Sequence, residues 1–311
     1  MTTPPMTPVL TMSAVVLGLL VLSTLAVWLL RRWRPAGSWD ELSARVRAWW
    51  VMAAVFLCAV AVHPVVSLVF FALMSFWALK EYVTLLKTRP HDHATLFWAF
   101  AAVPAQYWLV HVKWYGVFII FVPVYMFLLL PVTLVLARET KGFVASASQI
   151  HWGLMAFVFG LSHLGYLLQL PALPGRGVDG RALVLFVVFV VEMSDVLQYV
   201  WGKLFGRHKV LPSVSPNKTW EGLVGGVLSA ALLALPLRFL TPFSPLETAF
   251  VALGVCIAGF LGGAVMSAVK RDFGVKDFGT LIPGHGGMLD RVDSLCWAVP
   301  LFFHYVYWAW Y

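Results

Sequence analysis

The sequence predicts an all-α, polytopic integral membrane protein with about ten transmembrane helices. The first observation is the composition, since 61% of the 311 residues are hydrophobic and only 12% are charged, whereas soluble domains carry about 25% charged residues. The second is that apolar runs of roughly 20 residues, each long enough to cross a bilayer as a helix, recur along the whole chain. No polar stretch is long enough to bury a core of its own, so no soluble domain is predicted.

The apolar runs define the predicted spans in chain order. They cover residues 9–30, 47–62, 64–86, 95–111, 115–137, 149–171, 182–200, 221–240, 247–269 and 294–311. The second and third spans are expected to be short or tilted and to be joined by a tight turn at His63-Pro64. The glycine pairs Gly225-Gly226 and Gly262-Gly263 lie within spans eight and nine, where small residues allow helix backbones to approach closely.

The distribution of Lys and Arg predicts the orientation of the chain. With the N-terminus outside, 18 of the 22 Lys and Arg residues fall on the inner side, and only Lys113, Arg176, Arg181 and Arg238 fall outside. This is the asymmetry that the positive-inside rule describes, and it places the polar loops 201–220 and 270–293 in the cytoplasm of a protein of the cytoplasmic membrane. Membrane orientation also accounts for the net charge of +8, so no nucleic-acid partner is expected.

Loop 270–293 concentrates charges of both signs. Its charged residues are Lys270, Arg271, Lys276 and Arg291, with Asp272, Asp277, Asp290 and Asp293. A polybasic lipid-binding segment would lack the acids. Mg²⁺ takes one or two carboxylates together with phosphate oxygens, and the remaining phosphate charge requires Lys and Arg, so the mixture predicts a site for a metal ion and phosphates.

Asp290 and Asp293 are the first candidate metal ligands. They lie three residues apart where the last span begins, and on a helix this spacing puts both on one face, where they would share a metal. Arg291, between them, is then expected to point elsewhere. The alternative for Asp290 is that it only caps the last helix.

The stretch Pro283–Gly287, "PGHGG", cannot form the interior of a helix. Its glycines allow positive φ and close backbone approach, and successive N–H groups in such a loop form an anion-binding nest. This loop therefore either contacts phosphate through Gly286 and Gly287 or forms a plain turn. For His285 the alternatives are a hydrogen bond to phosphate, a role in proton transfer, or fixing the loop.

The other polar loop, Gly202–Gly222, is rich in turn-forming residues and leads into span eight. Lys218 and the hydroxyls of Ser215 and Thr219 are expected at the N-terminus of that helix, which is a ready anion site. Asn217 lies between them in the sequence. The alternative is that Thr219 alone caps the helix.

Carboxylates also interrupt the apolar runs. Glu192 and Asp195, three residues apart in span seven, share one helix face, and a charge inside a span costs about 2.5–3.5 kcal/mol at its centre. A metal ion or a Lys from the cytoplasmic loops would compensate them, and a buried ion pair between helices is the structural alternative. Glu81, at the inner end of span three, is either an interhelical partner or a site residue.

These motifs resemble the signature of the phosphatidate cytidylyltransferases, the CDP-diacylglycerol synthases. The pattern is Ser, two residues, Lys-Arg, four residues, Lys-Asp, a gap, Pro-x-His-Gly-Gly, two residues and Asp-Arg-x-Asp. It is filled by Ser267, Lys270-Arg271, Lys276-Asp277, Pro283, His285-Gly286-Gly287, Asp290-Arg291 and Asp293. The preceding loop is also similar, through Asp195, Gly202, Gly206, Ser215-Pro216, Lys218-Thr219 and Glu221-Gly222, although Gln198-Tyr199 stands where the family usually has Ala-Tyr.

The resemblance implies a reaction of CTP with phosphatidate, or a related lipid phosphate, that gives CDP-diacylglycerol and pyrophosphate at the cytoplasmic face. It implies that Asp195, Asp290 and Asp293 hold Mg²⁺, with a second cation left open. Phosphate groups would be held by Lys218, Lys270, Arg271 and Lys276, with His285 and Arg291 in the same catalytic group and Ser215, Asn217, Thr219, Ser267, Gly286 and Gly287 contacting substrate. Asp277 would ligate metal or fix Lys276.

The same resemblance divides the chain into two regions. Residues 1–180 are expected to form a divergent transmembrane bundle that faces lipid, and residues 181–311 the catalytic region. Membrane lipids are expected partners, and a homodimer is left open. Replacing Asp290 or Asp293 with Asn is expected to abolish turnover and leave folding intact.

Three other functions compete with cytidylyl transfer. A CTP-dependent lipid kinase of the polyprenol type would release CDP and a lipid phosphate instead of pyrophosphate and a CDP-lipid. A membrane transporter would use Glu192 and Asp195 in an ion path, but it would need polar residues spread through several spans. A degenerate relative would bind lipid without catalysis, and the presence of all the metal-type acids counts against it.

Overall fold

Each predicted span coincides with helical structure in the computed structural model, which describes residues 7–33, 39–138, 140–173, 177–282 and 286–311. The first part of the chain contains α1 (Thr7–Trp33), α2 (Asp40–Val62), α3 (Pro64–Leu85), α4 (His93–His111), α5 (Tyr115–Ile120), α6 (Phe127–Leu136), α7 (Phe143–Gly153) and α8 (Gly160–Gln169). Two π-helical turns, Phe121–Met126 and Leu154–Phe159, join α5 to α6 and α7 to α8.

The second part carries the polar loops. Its elements are α9 (Gly180–Phe205), β1 (Lys209–Leu211), β2 (Ser215–Thr219), α10 (Trp220–Ala234), α11 (Pro245–Asp272), α12 (Leu289–Val292) and α13 (Leu295–Trp310). Short 3₁₀ turns cover Pro90–Asp92 and Pro236–Leu240.

The chain is an all-α polytopic membrane protein. Within the described ranges, seven helices are long and apolar enough to cross a membrane, and α10 is apolar but shorter. The seven are Pro8–Trp33, Leu42–Val62, Pro64–Leu85, Tyr115–Leu136, Phe143–Gln169, Gly180–Phe205 and Pro245–Asp272. The count of ten crossings and the orientation with the N-terminus outside stay predictions, and the inner end of the bundle is called the predicted cytoplasmic end below.

The turn between α2 and α3 and the extent of α3 were predicted correctly, but α2 is longer than the predicted span. His63 adopts an extended conformation with φ −157°, and its Nδ1 accepts the N–H of Val65 at 3.2 Å. Pro64 is the first residue of α3, a position where its missing N–H costs nothing. Helix α2 has 23 residues, because the polar turn that begins at Asp40 is also helical.

Close helix packing at the glycine pairs is confirmed. A Cβ at Gly226 of α10 would lie 2.5 Å from the backbone N of Gln198 in α9. A Cβ at Gly262 of α11 would lie 3.1 Å from the carbonyl O of Asp293. Since neither position has room for a side chain, α9, α10, α11 and the start of α13 pack closely, and their predicted cytoplasmic ends come together.

One buried cluster contains residues of both predicted regions, from Val9 of α1 to Val306 of α13. The expected division of the chain at residue 180 stays a prediction.

A small β-hairpin was not predicted. Strand β2, Ser215–Thr219, pairs antiparallel with β1, Lys209–Leu211. The expectation that Ser215 lies at the N-terminus of span eight is therefore wrong, because Ser215 pairs with Leu211 in the hairpin and the N-cap of α10 is Thr219. Thr219 is the N-cap of α10, and its Oγ1 accepts the N–H of Gly222 at 3.2 Å.

Candidate active site

Two carboxylates from distant parts of the chain meet around one hydroxyl group. The Oγ of Ser294 donates to Asp195 Oδ2 at 2.6 Å and lies 3.4 Å from Asp293 Oδ1. The backbone N–H of Ser294 also donates to Asp293 Oδ1, at 2.8 Å. Because a hydroxyl has a single proton to donate, the Oγ–H of Ser294 donates to Asp195, whose oxygen is the nearer of the two. Asp195 Oδ1 and Asp293 Oδ2 make no hydrogen bond within the part of the chain that the structure describes.

Asp290 lies in a different environment from Asp293. Its Oδ1 accepts Lys270 Nζ at 3.0 Å, and its Oδ2 accepts the N–H groups of Phe278 at 2.8 Å and Gly287 at 2.9 Å. The expectation that Asp290 and Asp293 share one helix face stays a prediction. Asp290 lies in α12, which has four residues, and Asp293 and Ser294, which join α12 to α13, keep right-handed helical φ and ψ.

Lys218 enters the site from β2 rather than from a helix terminus. Its Nζ lies 3.4 Å from the carbonyl O of Phe260 and 4.6 Å from the centre of the Phe260 ring. Burial lowers the pKa of this amine, and the charges of Asp195 and Asp293 oppose that shift. A Cβ at Gly263 would lie 3.1 Å from the ammonium, so the second glycine of this pair also makes room for Lys218.

Arg291 lies near the carboxylates of the site. Its charge acts on the carboxyl groups of Glu192, Asp195 and Asp293. Its Nε is buried and has no hydrogen-bond partner among the described residues. A buried guanidinium donor without a partner is costly, and a phosphate oxygen would satisfy it.

Positive charges lie around Asp293, and none of those in the described part of the chain forms a close ion pair with it. Burial raises the pKa of the Asp293 carboxyl, and the charges of Lys270, Lys218 and Arg291 oppose the shift. Three cations beside two partly unpaired carboxylates form the mixed-charge environment that a metal ion with bound phosphates requires.

The remaining predicted residues lie at the edges of this cluster. Arg271 is exposed, and its Nε donates to the carbonyl O of Val214 at 3.4 Å, which joins the two polar loops. Lys276 and Asp277 are exposed. The Oγ of Ser267 donates to the carbonyl O of Gly263 at 2.7 Å.

The residues of β2 differ in exposure. Asn217 is exposed, Ser215 is half-buried and Thr219 is buried. Glu221, in the first turn of α10, accepts the N–H of Arg207 at 3.1 Å and the Nδ1 of His208 at 2.6 Å. These contacts tie the basic stretch before β1 to α10.

The glycines of "PGHGG" organise the loop itself. Gly286 has φ +82°, and its carbonyl O accepts the N–H of Ile282 at 2.8 Å. The N–H of Gly287 is bonded to Asp290, so it is not free for phosphate in this arrangement. Pro283, Gly284 and His285 lie outside the described residues, and the role of His285 stays a prediction.

Sequence reasoning missed Ser294 and left Glu81 undecided. Ser294 directly follows Asp293 at the start of an apolar helix, and a polar residue there is the signal that was available. Glu81 accepts the N–H of Met288 at 2.9 Å and of Leu289 at 2.8 Å. It therefore connects α3 to the polar loop, although 207 residues separate it from Met288.

The donor set suits Mg²⁺ in part. No group of three or more His, Cys, Asp or Glu side chains in the described ranges is arranged to hold a metal ion, so Asp195 and Asp293 offer a pair of carboxylates instead of a full cage. Mg²⁺ is usually held by one or two carboxylates together with substrate phosphates. The oxygens of this pair that lack hydrogen bonds fit such a role.

Comparison with known proteins decides the family. The model of the cytidylyltransferase family matches residues 43–309. The chain belongs to this family. A cytidylyltransferase of this kind is a CTP-dependent transferase, and the family implies CTP and a lipid phosphate as substrates.

Relatives of this cytidylyltransferase differ in how much of the chain they match. A protein of Escherichia coli strain K12, "Uncharacterized protein YnbB", is 43% identical over 297 residues, which cover 94% of this chain and 96% of that protein. A phosphatidate cytidylyltransferase of Staphylococcus haemolyticus is 41% identical over 125 residues, and one of Staphylococcus aureus strain COL is 39% identical over 127 residues. Each of these two matches covers 40% of this chain and 48% of the relative, so about half of each synthase is compared.

Proposed function

We propose that this cytidylyltransferase transfers the cytidylyl group of CTP to phosphatidate, and forms CDP-diacylglycerol and pyrophosphate. The observation that carries the proposal is the meeting of Asp195 and Asp293 around Ser294, with Lys218 and Arg291 beside them. The partial matches to proteins named phosphatidate cytidylyltransferase support the lipid substrate.

The reaction requires positioning and charge neutralisation more than proton transfer. An oxygen of the lipid phosphate attacks the α-phosphorus of CTP, a new P–O bond forms, and the bond from the α-phosphorus to the bridging oxygen of the β-phosphate breaks. Because the attacking oxygen is already anionic near neutral pH, no strong general base is needed. Pyrophosphate leaves with the electron pair of the broken bond, as in other phosphoryl-transfer chemistry.

Residues of this chain have distinct parts in the proposal. Asp195 and Asp293 would hold Mg²⁺, which when bound neutralises negative charge on the phosphates. Lys218 and Arg291 would bind phosphate oxygens, Lys218 with the ammonium of its half-buried side chain and Arg291 with the Nε that lacks a partner among the described residues. Asp290 is proposed to anchor the loop through Lys270 and two backbone amides, with no direct bond to metal.

The exposed residues Arg271, Lys276 and Asp277 form the part of the proposed site nearest to solvent. Arg271 and Lys276 would attract the triphosphate of CTP and the leaving pyrophosphate, since exposed cations steer anionic ligands towards a site.

Purified protein with CTP, Mg²⁺ and phosphatidate in mixed micelles tests the proposal. CTP labelled at the α-phosphorus should transfer its label to lipid, with one pyrophosphate released per CDP-lipid. Label transferred from the γ-phosphorus to a lipid alcohol would identify a lipid kinase instead. Absence of any CDP-lipid with phosphatidate, while another lipid phosphate is converted, would reject the substrate and leave the reaction class in place.

A matched pair of variants ties the product to this site. Asp293→Asn should form no CDP-lipid, because it removes one of the two carboxylates around Ser294. Asp272→Asn, in the same loop but exposed, should retain the wild-type rate. Equal rates for the two variants would contradict the assignment of the site.

A further inference from the structure

Glu81 makes a buried contact between a helix of the divergent first half and the signature loop. It lies one turn before the end of α3 and is 8% exposed. Its two carboxylate oxygens accept the N–H groups of Met288 and Leu289 at 2.9 and 2.8 Å. Both bonds are therefore made to the backbone immediately before Asp290.

These bonds satisfy groups that α12 cannot satisfy itself. The first N–H groups of any helix have no acceptor within that helix. Those at the start of α12 therefore need acceptors from other parts of the chain. Gly287 donates its N–H to Asp290, and Glu81 accepts the next two. Because hydrogen bonds to a charged acceptor are among the stronger ones in proteins, Glu81 fixes the position at which α12 begins.

The glycines around Glu81 show how closely the loop fits it. A Cβ at Gly279 would lie 2.8 Å from Glu81 Oε1, and a Cβ at Gly287 would lie 2.6 Å from Glu81 Cδ. The last glycine of "PGHGG" thus has to lack a side chain, since the carboxylate of Glu81 occupies that space. The loop and the end of α3 form one packed unit.

The next residue of α3 holds the other end of the same loop. The ring of Tyr82 lies 5.9 Å from the ring of Phe273, just after α11 ends. The Tyr82 hydroxyl donates to the carbonyl O of Gln149 at 3.1 Å. Glu81 and Tyr82 therefore contact both ends of the segment that runs from α11 to α12.

We infer that Glu81 is a positioning residue for catalysis: its two hydrogen bonds to Met288 and Leu289 hold α12, and thereby Arg291 and Asp293, in register with Asp195. Glu81 touches neither substrate nor metal in this role. The inference deepens the proposed function and rests on it for its kinetic part.

Glu81→Gln tests the inference, since Gln keeps the size of the side chain but has a single acceptor oxygen. We expect the N–H groups of Met288 and Leu289 to exchange with deuterium about tenfold faster or more, as a lost bond to a charged acceptor permits local opening. We expect kcat for CDP-lipid formation to fall about 10- to 100-fold, with KM for CTP changed less than about threefold, because misplaced catalytic groups mainly reduce kcat.

Asp92→Asn is the matched control. Asp92 is 2% exposed and accepts the N–H of Arg89 at 2.8 Å, so it is also a buried carboxylate that caps a loop. The hydrogen bonds that Asp92 makes among the described residues include those to Arg89 and none to the signature loop. This variant should keep kcat within about twofold of wild type, even where its stability falls as much as that of Glu81→Gln. An equal loss of kcat in both variants would overturn the inference.

Met288→Pro removes one donor while leaving Glu81 intact, and it carries the test if Glu81→Gln does not fold. The φ of Met288 is −60°, which suits proline. The variant should show the same loss of kcat, and the double variant should be no worse than about the more severe single change. The inference would be overturned if Met288→Pro left the exchange of the Leu289 N–H unchanged or kept kcat within about twofold of wild type. Full additivity of Met288→Pro and Glu81→Gln in the double variant would overturn it as well.

Failure of the proposed function would be visible separately. If the wild-type protein forms no CDP-lipid, the substrate assignment fails, and the inference is decided by exchange at residues 288–289 and by Mn²⁺ binding to the Asp195–Asp293 pair. Glu81→Gln should weaken Mn²⁺ binding about tenfold. Mn²⁺ binding equal to that of wild type would overturn the positioning role.

Discussion

Asp290→Asn and Asp293→Asn should behave differently, although the two residues belong to one Asp-Arg-x-Asp motif. In the structure, Asp290 is paired with Lys270 and accepts two backbone amides. Asp293 instead lies beside a second carboxylate, Asp195, across the Ser294 hydroxyl. We expect Asp290→Asn to destabilise the fold, which changes the expectation from sequence that folding would stay intact.

The magnitude follows from the burial of the ion pair. The side chain of Asp290 is 3% exposed and that of Lys270 is 15% exposed. Removing one partner of a buried pair costs about 3–5 kcal/mol because the other charge stays buried alone. At roughly 2 °C per kcal/mol for a chain of this size, the unfolding midpoint should fall by roughly 6–10 °C. Asp293→Asn removes a buried charge that burial disfavours, so its midpoint should equal or exceed that of wild type.

Tryptophan fluorescence of protein in detergent measures these midpoints, with and without Mg²⁺ and CTP. Ligands that bind the native state raise the midpoint, so Mg²⁺ with CTP should stabilise the wild-type protein. Asp293→Asn should lose this stabilisation together with its activity. A midpoint for Asp293→Asn as low as that of Asp290→Asn, or an unchanged midpoint for Asp290→Asn, would refute the division of roles.

Three further outcomes are expected. Gly263→Val should lower kcat about tenfold or more, because a Cβ there lies 3.1 Å from Lys218 Nζ. Gly254→Val is the control in the same helix: a Cβ there meets no atom within 4 Å, so the wild-type rate should be kept. Equal rates for the two variants would contradict the placement of Lys218. Thr219→Val should cost about 1 kcal/mol through loss of the α10 cap, seen as a midpoint lower by roughly 2 °C, and an unchanged midpoint would argue against the cap. Chelation with EDTA should stop CDP-lipid formation and added Mg²⁺ should restore it, and a full rate in EDTA would remove the metal from the proposal.

Helix positions were predictable to the extent that apolar runs define them. The run that ends at residue 62 was recognised, but the polar turn from Asp40 that begins the same helix was not, because hydropathy does not detect polar helical residues. The hairpin of β1 and β2 was missed for a related reason. Its eight residues contain no alternating apolar pattern, and its pairing depends on the loop being held between α9 and α10.

Side-chain directions were less predictable than positions. The spacing of Asp290 and Asp293 suggested one helix face, which requires a continuous helix. The spacing did not give the partner of each carboxylate, since Asp293 lies beside Asp195 across Ser294 and Asp290 accepts two loop amides.

The sequence alone determined that this chain is a membrane protein of the cytidylyltransferase type. Apolar length, the asymmetry of Lys and Arg, and the types and spacing of the signature residues are local properties, and each can be read without knowing which helices touch. Only the tertiary structure decided which carboxylates meet, that Ser294 lies between Asp195 and Asp293, and that Glu81 holds the start of α12. Those contacts join residues about 100 to 200 positions apart, and their pairing depends on helix packing at glycines rather than on any local pattern.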